Sequence, residues 1–338
     1  MAARANIAGY QLTVDGKDIT GTVEPRLVSL TLNEKRFGDA DQLDLVLSDH
    51  DGKLAIPKKG AVISLSLGWK QGADVTPGLV SKGSFKVDSA RHSGAPDVIT
   101  ISARSADLAG AYRVRKEKSW RDTTLGAILQ EIAGNAGLTP RIDATLAAKP
   151  IAFLAQHQKS DMALVRELGA KYDAVATVKD GKLVFAPKGK GATSTGQAIP
   201  DLTLTRKAGD RHDWSRVERE TYDGAEARWH DQGSATRRTE HAGGSGGGGK
   251  RKRIRKVYAS QADAQAAASA EAQRIARAAA EFSLDLALGR ADIYPDRAVT
   301  VSGFKPEIDA AKWLIAEVSH SLDRSGGFRT KLKMETKV

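Results

Sequence analysis

The stretch Ile63-Ser64-Leu65-Ser66-Leu67-Gly68-Trp69 places an apolar residue at every second position. Successive side chains of a β-strand point to opposite faces, so this period predicts a strand with one buried face. Five further runs share the period before about residue 103, and six such runs predict a closed or nearly closed antiparallel barrel. The other runs are Tyr10/Leu12/Val14, Val28/Leu30/Leu32, Leu43/Leu45/Leu47, Phe85/Val87 and Val98 to Ile101.

The apolar period changes beyond Asp107, where two helices and a hairpin are predicted. Ser160 is suited to begin the second helix because its hydroxyl can accept a hydrogen bond from a free backbone N–H group. The hairpin turns at Asp180-Gly181, a pair that favours tight turns. We therefore predict a small α+β domain over residues 111–200, following a first tube-like barrel over residues 1–110. The apolar helix stripes are Leu125/Ile128/Leu129/Ile132 and Leu164/Val165/Leu168/Tyr172.

Strand alternation returns in residues 201–338, which are predicted to form a second tube-like barrel. Two segments interrupt it. Residues 242–256 are rich in glycine and basic residues, which indicates a flexible loop, and residues 260–282 are rich in alanine, which favours a helix. The predicted fold is thus mainly β with an α+β insert: two antiparallel tube-type β-barrel domains flank a small helix and hairpin domain.

The composition restricts the chemistry that is open to the protein. There is no cysteine among the 338 residues, which excludes disulfides, thiolate metal sites and a cysteine nucleophile. The seven histidines lack the spacing that places two of them on one helix face for zinc. No segment is apolar for long enough to cross a bilayer, so membrane insertion is not expected. We expect neither a metal nor a cofactor.

A basic run accounts for much of the net charge of +11. Its cations could contact a polyanion or an acidic partner, since such binding needs only local charge density, or the run could be a solvated loop. Nucleic acid is not expected as the partner because no aromatic residue interleaves for base stacking. Trp120 and Trp229 are the candidate interface anchors, because aromatic residues dominate binding energy in assemblies. The cations are Lys250, Arg251, Lys252, Arg253, Arg255 and Lys256.

Two short patterns are similar to catalytic motifs. Gly243-Gly244-Ser245-Gly246-Gly247 matches the G-x-S-x-G pattern of hydrolases, but no core strand leads directly into it and no helix directly follows. Glu317 with Asp323, or Asp39 with Asp41, could form a carboxylate pair for glycan cleavage. Charged positions on surface strands explain these acids at least as well, and no residue is predicted to be catalytic.

Three stretches carry a resemblance to a known family. They are Ser119-Trp120-Arg121-Asp122-Thr123-Thr124-Leu125; Gln156-His157-Gln158-Lys159-Ser160-Asp161 with Asp180-Gly181-Lys182-Leu183-Val184-Phe185-Ala186; and Trp313-Leu314-Ile315-Ala316-Glu317-Val318-Ser319-His320-Ser321-Leu322 with Gly326-Gly327-Phe328-Arg329-Thr330-Lys331-Leu332. These stretches resemble the phage late control D proteins, tail baseplate hubs related to the hub part of type VI secretion spike proteins. Lys159 departs from the family pattern, which usually has an acid there, and Ala163-Leu164 replaces a common Phe-Leu pair.

This resemblance implies a homotrimer with two tube-like barrels per subunit. Three copies would form a six-part ring that joins the sixfold tail tube to the threefold central spike. The implied function is a non-enzymatic hub in the baseplate of a contractile phage tail or tail-like particle, assembled in the host cytoplasm. The implied partners are its own copies, the central spike, the tail tube protein and other baseplate subunits. The alternative is a cell-wall (murein) binding or lytic tail protein.

Overall fold

A computed structural model describes residues 4–36, 40–105, 112, 114–179, 181–191, 197–216, 222–231, 233–244 and 250–337. Outside these ranges lie Asp39, Asp107, the turn residue Asp180 and residues 245–249 of the glycine-rich segment. Strands dominate the described residues and most pair antiparallel, so the predicted class, mainly β with a smaller helical part, is confirmed.

The described residues form twenty-one strands and six α-helices. The helices are α1 Thr20–Val23, α2 Leu125–Asn135, α3 Ala144–Ala147, α4 Asp161–Lys171, α5 Gln261–Arg277 and α6 Pro306–Asp309. The strands are β1 Ile7–Val14, β2 Lys17–Asp18, β3 Leu27–Lys35, β4 Gln42–Ser48, β5 Val62–Gln71, β6 Gly78–Ser93, β7 Val98–Ser105, β8 Arg115–Thr124, β9 Thr139–Ile142, β10 Pro150–Ser160, β11 Ala174–Lys179, β12 Lys182–Pro187, β13 Leu202–Thr205, β14 Gly209–Arg216, β15 Gly224–Asp231, β16 Thr236–Gly243, β17 Arg251–Tyr258, β18 Ala280–Leu286, β19 Ala298–Ser302, β20 Lys312–Asp323 and β21 Gly327–Thr336.

Thirteen of these strands form one sheet that contains strands of both predicted barrels. Its main order is β14-β18-β21-β20-β3-β4-β7-β6-β5-β1-β2, and β13 joins through β19, which pairs with β20. The antiparallel pairing of β20 with β3, for example Leu322 opposite Leu30, joins the two halves. The two barrels were predicted as separate domains, and the sequence pattern does not indicate this continuity. The domain boundaries at residues 110 and 200 stay a prediction.

Each half of the sheet buries the apolar phase of its strands. Leu32 and Leu43 belong to the core of the first half, whereas Phe282, Trp313 and Leu332 belong to that of the second half. Complete burial of a large apolar side chain contributes about 1.5–3 kcal/mol, so these cores are a main source of stability for each half.

Residues 114–191 form a smaller α+β unit. Helices α2 and α4 pack against the sheet β9-β12-β11 and the two-stranded ribbon β8-β10. The Ser160 hydroxyl accepts a hydrogen bond from the Ala163 N–H at 3.2 Å and begins α4, as its residue type predicts. Gly137, just beyond the end of α2, has a φ of 68°, which glycine adopts without strain. The helix and hairpin pattern predicted for this part of the chain therefore forms.

Residues 224–277 differ from the prediction of a second barrel strand followed by a flexible loop. Strands β16, β15 and β17 form a separate three-stranded sheet, and α5 covers one of its faces. Residues 251–256 are therefore not loop but part of β17, because Ile254 packs toward α5 and the backbone pairs parallel with β15. Helix α5 ends at Arg277 rather than near Phe282, since Ala280 already begins a strand of the large sheet.

In the described ranges, no helix is long and apolar enough to cross a membrane. The same residues contain no cluster of three or more His, Asp or Glu side chains that could hold a metal ion.

Candidate functional site

One face of the large sheet is polar across strands that belong to both halves. Opposite the core, a row of neighbouring residues crosses five strands from β14 to β3, and it carries alternating charges. Lys333 lies 3.3 Å from Glu317 within this row and its side chain is 60% exposed. The row is Asp213, Ser283, Lys333, Glu317 and Lys35.

A second row crosses eight strands, from β14 to β6, without an apolar residue. A sheet face of this composition is stable only in contact with water or a polar partner. We call the face that carries both rows the polar face. The second row is Arg211, Asp285, Lys331, Ser319, Asn33, Gln42, Arg104 and Lys86.

Two of the strands that carry the polar face have unpaired edges. Among the described residues, β14 pairs only with β18. Strand β6 changes partner along its length: its first part pairs with β5 and its second part pairs with β7. Lys86 still pairs with both, whereas residues 89–93, which follow an irregularity at Asp88, have a described partner on one side only. Free backbone N–H and C=O groups on an edge can pair with a strand of another chain.

A buried polar cluster lies on the core side of the sheet, where the two halves meet. His320 is fully buried, its Nδ1 lies 2.9 Å from the Thr330 hydroxyl, and its Nε2 lies 3.2 Å from Glu34 Oε2. Lys82 Nζ donates to Glu34 Oε2 at 2.8 Å and to the Ile293 carbonyl at 3.1 Å. The cluster connects β3, β6, β20 and β21, and it separates the apolar cores of the two halves.

The cluster holds its acid in the charged form. Burial opposes ionisation of Glu34, but its 3.2 Å contact with His320 and the charge of Lys82 outweigh burial and lower the pKa of Glu34 to about 2. Burial also lowers the pKa of His320, which favours its neutral form. Thr330 accepts a hydrogen bond from the Arg290 N–H, so its hydroxyl can donate to His320 Nδ1 and the His320 proton is assigned to Nε2.

A second group of charges, which we call the ionic junction, joins the smaller units to the large sheet. Arg277, at the end of α5, donates through Nη1 to Asp173 Oδ2 at 2.6 Å, and its Nε lies 3.0 Å from Glu335 of β21. Arg36, which follows β3, donates to Glu335 at 2.6 Å. Lys188, which follows β12, lies 3.1 Å from Asp173. These charges connect the α+β unit, helix α5 and both halves of the sheet.

The ionic junction includes one carboxyl group, that of Asp296, whose charged form is disfavoured by burial. Asp296 lies 4.0 Å from Arg36 and accepts a hydrogen bond from the Gly189 N–H at 3.2 Å. Burial raises the pKa of Asp296 to about 6, although nearby Arg36 acts in the opposite direction. A fraction of the protein therefore carries a neutral carboxyl at this position in mildly acidic solution.

The ionic junction was not predicted from the sequence. One signal was available: Arg277 lies two helical turns after the buried Ala270, hence on the covered face of an otherwise alanine-rich helix. A cation in that position needs a buried acid as partner. The sequence does not say that Asp173 and Glu335 supply the acids.

The cations predicted as one contact site are divided by the structure. Lys252 pairs with Glu271 of α5 at 2.7 Å, and Lys256 lies 3.9 Å from Glu167 of α4. Arg253 and Arg255 are exposed, and Arg253 pairs with Glu226. The alternation of β17 explains this division, because successive side chains point to opposite faces of its sheet.

The two candidate interface anchors are half-buried, and both indole N–H groups bond within the chain. Trp120 donates to Glu131 at 2.9 Å and Trp229 donates to Glu240 at 2.9 Å. Exposed ring edges of such residues can still contact a partner, and a role as interface anchors stays a prediction.

The acids considered as a catalytic pair have other contacts. Glu317 lies beside Lys333 on the polar face, and Asp323 accepts a hydrogen bond from the Ser325 N–H at 2.8 Å in the turn after β20. Six residues of strand separate the two acids by about 20 Å at 3.3 Å per residue. That is about twice the largest separation that glycoside hydrolysis uses.

Comparison with known proteins identifies the family. The family model described as phage tail baseplate hub (GPD) matches residues 39–326. The chain belongs to this family. A relative named as a probable baseplate hub protein of Escherichia phage 186 is 38% identical over 367 residues, covering 97% of this chain and 93% of the relative. The resemblance stated from the sequence is confirmed, and with it the function of a baseplate hub, a component of the phage tail.

Solved structures share the hub fold at low sequence identity. The 43 kDa tail protein of prophage MuSo2 from Shewanella oneidensis has a TM-score of 0.68 at 14% identity, with 97% of this chain and 98% of that chain covered. An Escherichia coli component of the type VI secretion system has a TM-score of 0.59 at 12% identity, with 97% of this chain and 77% of that chain covered. At these identities the likeness shows a common fold.

Proposed function

We propose that this hub is a homotrimeric adaptor that joins a sixfold tail tube to a threefold central spike. The observation that carries the proposal is the polar face, whose strands have two unpaired edges, at β14 and at residues 89–93 of β6. Pairing the β14 edge of one copy with the β6 edge of the next is a head-to-tail contact, and such contacts generate a closed ring when the rotation between neighbouring copies closes after three. The polar face of each copy would then line a water-filled channel.

The continuous sheet supports the proposal that one ring can contact both a sixfold tube and a threefold spike. Each copy contributes two strand sets, one on each side of the β20–β3 pair. Three copies therefore present six strand sets around the ring. Such a ring offers similar contacts to a sixfold tube while remaining threefold for a spike. The tube protein, the spike and other baseplate subunits are the proposed partners, and assembly in the host cytoplasm is proposed with them.

The two buried polar groups support a mechanical role without catalysis. The ionic junction fixes the α+β unit and α5 to the sheet, and the cluster around His320 connects the two halves. Breaking a buried ion pair costs about 3–5 kcal/mol, so relative motion of these units is strongly opposed. A part that transmits the force of sheath contraction from tube to spike must resist such motion.

Light scattering of the protein, purified alone and after co-expression with its neighbouring genes, tests the oligomeric state. The proposal expects the mass of three subunits, alone or with co-purifying spike or tube protein. A single subunit under both conditions would contradict the adaptor mechanism and leave the hub without a ring.

A further inference from the structure

The three-stranded sheet β16-β15-β17 has one covered and one open face. On the covered side, Ala227 is fully buried against Ala264 and Ala268 of α5. The alternation of the strands therefore directs the neighbouring residues of β15, Glu226 and Arg228, to the opposite side. No described element packs over that side of the sheet, and its residues are mostly exposed.

The open face concentrates arginine. In the strand pairing, Glu226 lies opposite Arg253 of β17 and His241 of β16, so these three side chains share one face. Their contacts agree: Arg253 donates to Glu226, and His241 lies 3.9 Å from the same carboxylate. The hydrogen bond from Arg253 lowers the pKa of Glu226, with smaller contributions from the charges of Arg253, His241 and Arg228. Arg228 is therefore close to this group.

Two more arginines extend the open face. Arg237 of β16 pairs with His230 of β15, two residues beyond Arg228, and it is exposed. Arg255 is also exposed and lies midway between Arg253 and Val257, which pair with Glu226 and Arg228 of the open face on either side of an irregularity in β17, so we place Arg255 on the same side. We call this surface the arginine face and define it by Arg228, Arg237, Arg253 and Arg255.

We propose that the arginine face is a docking site for an acidic surface of another protein. Its four arginines face a single acid, Glu226, so the surface is complementary to carboxylates in charge. The planar guanidinium group binds a carboxylate through two parallel hydrogen bonds, which a lysine ammonium cannot do. The site does not depend on ring formation, because it lies on the sheet β16-β15-β17 and not on the large sheet.

Two observations favour a protein over a nucleic acid as the occupant. The aromatic residues of this sheet, Trp229 and Tyr258, pack toward α5, so none is available on the arginine face to stack on a base. Glu226 lies among the arginines, where its charge would repel a phosphate backbone. A protein surface of mixed charge can place a basic or neutral group opposite Glu226.

Fluorescence anisotropy of a labelled oligoglutamate peptide, titrated with the full chain at low ionic strength, tests the proposal. The test variant is Arg237→Glu with Arg255→Glu. The control is Lys53→Glu with Lys58→Glu, which makes the same change in net charge at exposed positions of the β4–β5 connection. A DNA duplex of equal net charge is the second probe, and circular dichroism checks that the variants fold.

We expect the test variant to bind oligoglutamate about tenfold more weakly than the parent does. This change corresponds to a loss of about 1.4 kcal/mol of binding free energy from the two reversed charges. The control should bind about as the parent does. Equal losses in both variants, or no loss in either, would overturn the proposal. Tighter binding of the duplex that also depends on Arg237 and Arg255 would assign the face to nucleic acid instead. If the reversed variant does not fold, Arg237→Gln with Arg255→Gln replaces it, with a smaller loss in the same direction expected.

Discussion

Arg277 Nη1 donates to Asp173 Oδ2 across 2.6 Å, although 104 positions separate the two residues in the chain. Both side chains are less than a tenth exposed. The bond joins the end of α5 to the residue that precedes β11, and through Glu335 it reaches the large sheet. Three structural units therefore meet at one buried guanidinium group.

Replacement of this guanidinium should be costly. We expect Arg277→Met to lower the free energy of unfolding by about 3 kcal/mol, because Asp173 loses its paired hydrogen bonds from the guanidinium group and Glu335 loses one of its two arginine partners. Urea unfolding followed by circular dichroism measures the change. Lys70→Met is the matched control, since its ion pair with Glu24 is exposed and should contribute less than about 1 kcal/mol. An equally small effect of both substitutions would show that the junction does not hold the units together.

Asp296 should destabilise the protein at neutral pH. Its pKa in the folded protein is about 6, above that of an unfolded aspartate, so the folded state loses stability as Asp296 ionises with rising pH. We expect Asp296→Asn to be more stable than the parent at pH 7, by about 2 kcal/mol. The advantage should shrink as the pH falls through 6 toward about 4, where the parent aspartate is protonated too. Unfolding midpoints across this range measure it, and a difference independent of pH would refute the assignment.

Glu34 should stabilise the folded protein at neutral pH, in contrast to Asp296. Its pKa in the folded protein is about 2, below that of an unfolded glutamate, so its contribution is complete above about pH 5 and is lost as the pH falls toward 2. We expect Glu34→Gln to cost about 3 kcal/mol at pH 7 because Lys82 is left buried without its acid. The cost should diminish in acid, as followed by the same unfolding experiment. A cost that stays constant between pH 7 and pH 3 would contradict the charged form of Glu34.

The strands and their faces could be predicted from local pattern. The period of two in Ile63 to Trp69 correctly marks a strand, β5, and the buried phase of that strand. Ser160 correctly marks the start of α4. These features depend on neighbouring residues alone, and the physical rules for strand alternation and helix capping act over a few positions.

The pairing of distant strands could not be predicted. Alternation tells which side chains are buried, but any two strands with a buried face could pair, so the contact between β3 and β20 leaves no local signal. Strand β17 could not be predicted for a different reason, which is its high content of charged residues. Its many basic residues are typical of a solvated loop. Only two residues of this strand, Ile254 and Tyr258, pack with the apolar cluster that includes α5. The ionic junction needs partners from several segments, and one sequence does not show which acids meet Arg277.

The absence of cysteine from the chain permits a direct test of the ring. We introduce Asp213→Cys on the β14 edge and Arg91→Cys on the β6 edge, both at exposed positions, and oxidise the protein after co-expression with its neighbouring genes. If β14 of one copy pairs with β6 of the next, the double variant should form covalent trimers on a non-reducing gel, while each single variant remains free of trimers. Absence of covalent trimers from the double variant, although both cysteines react with a thiol label, would contradict the head-to-tail ring.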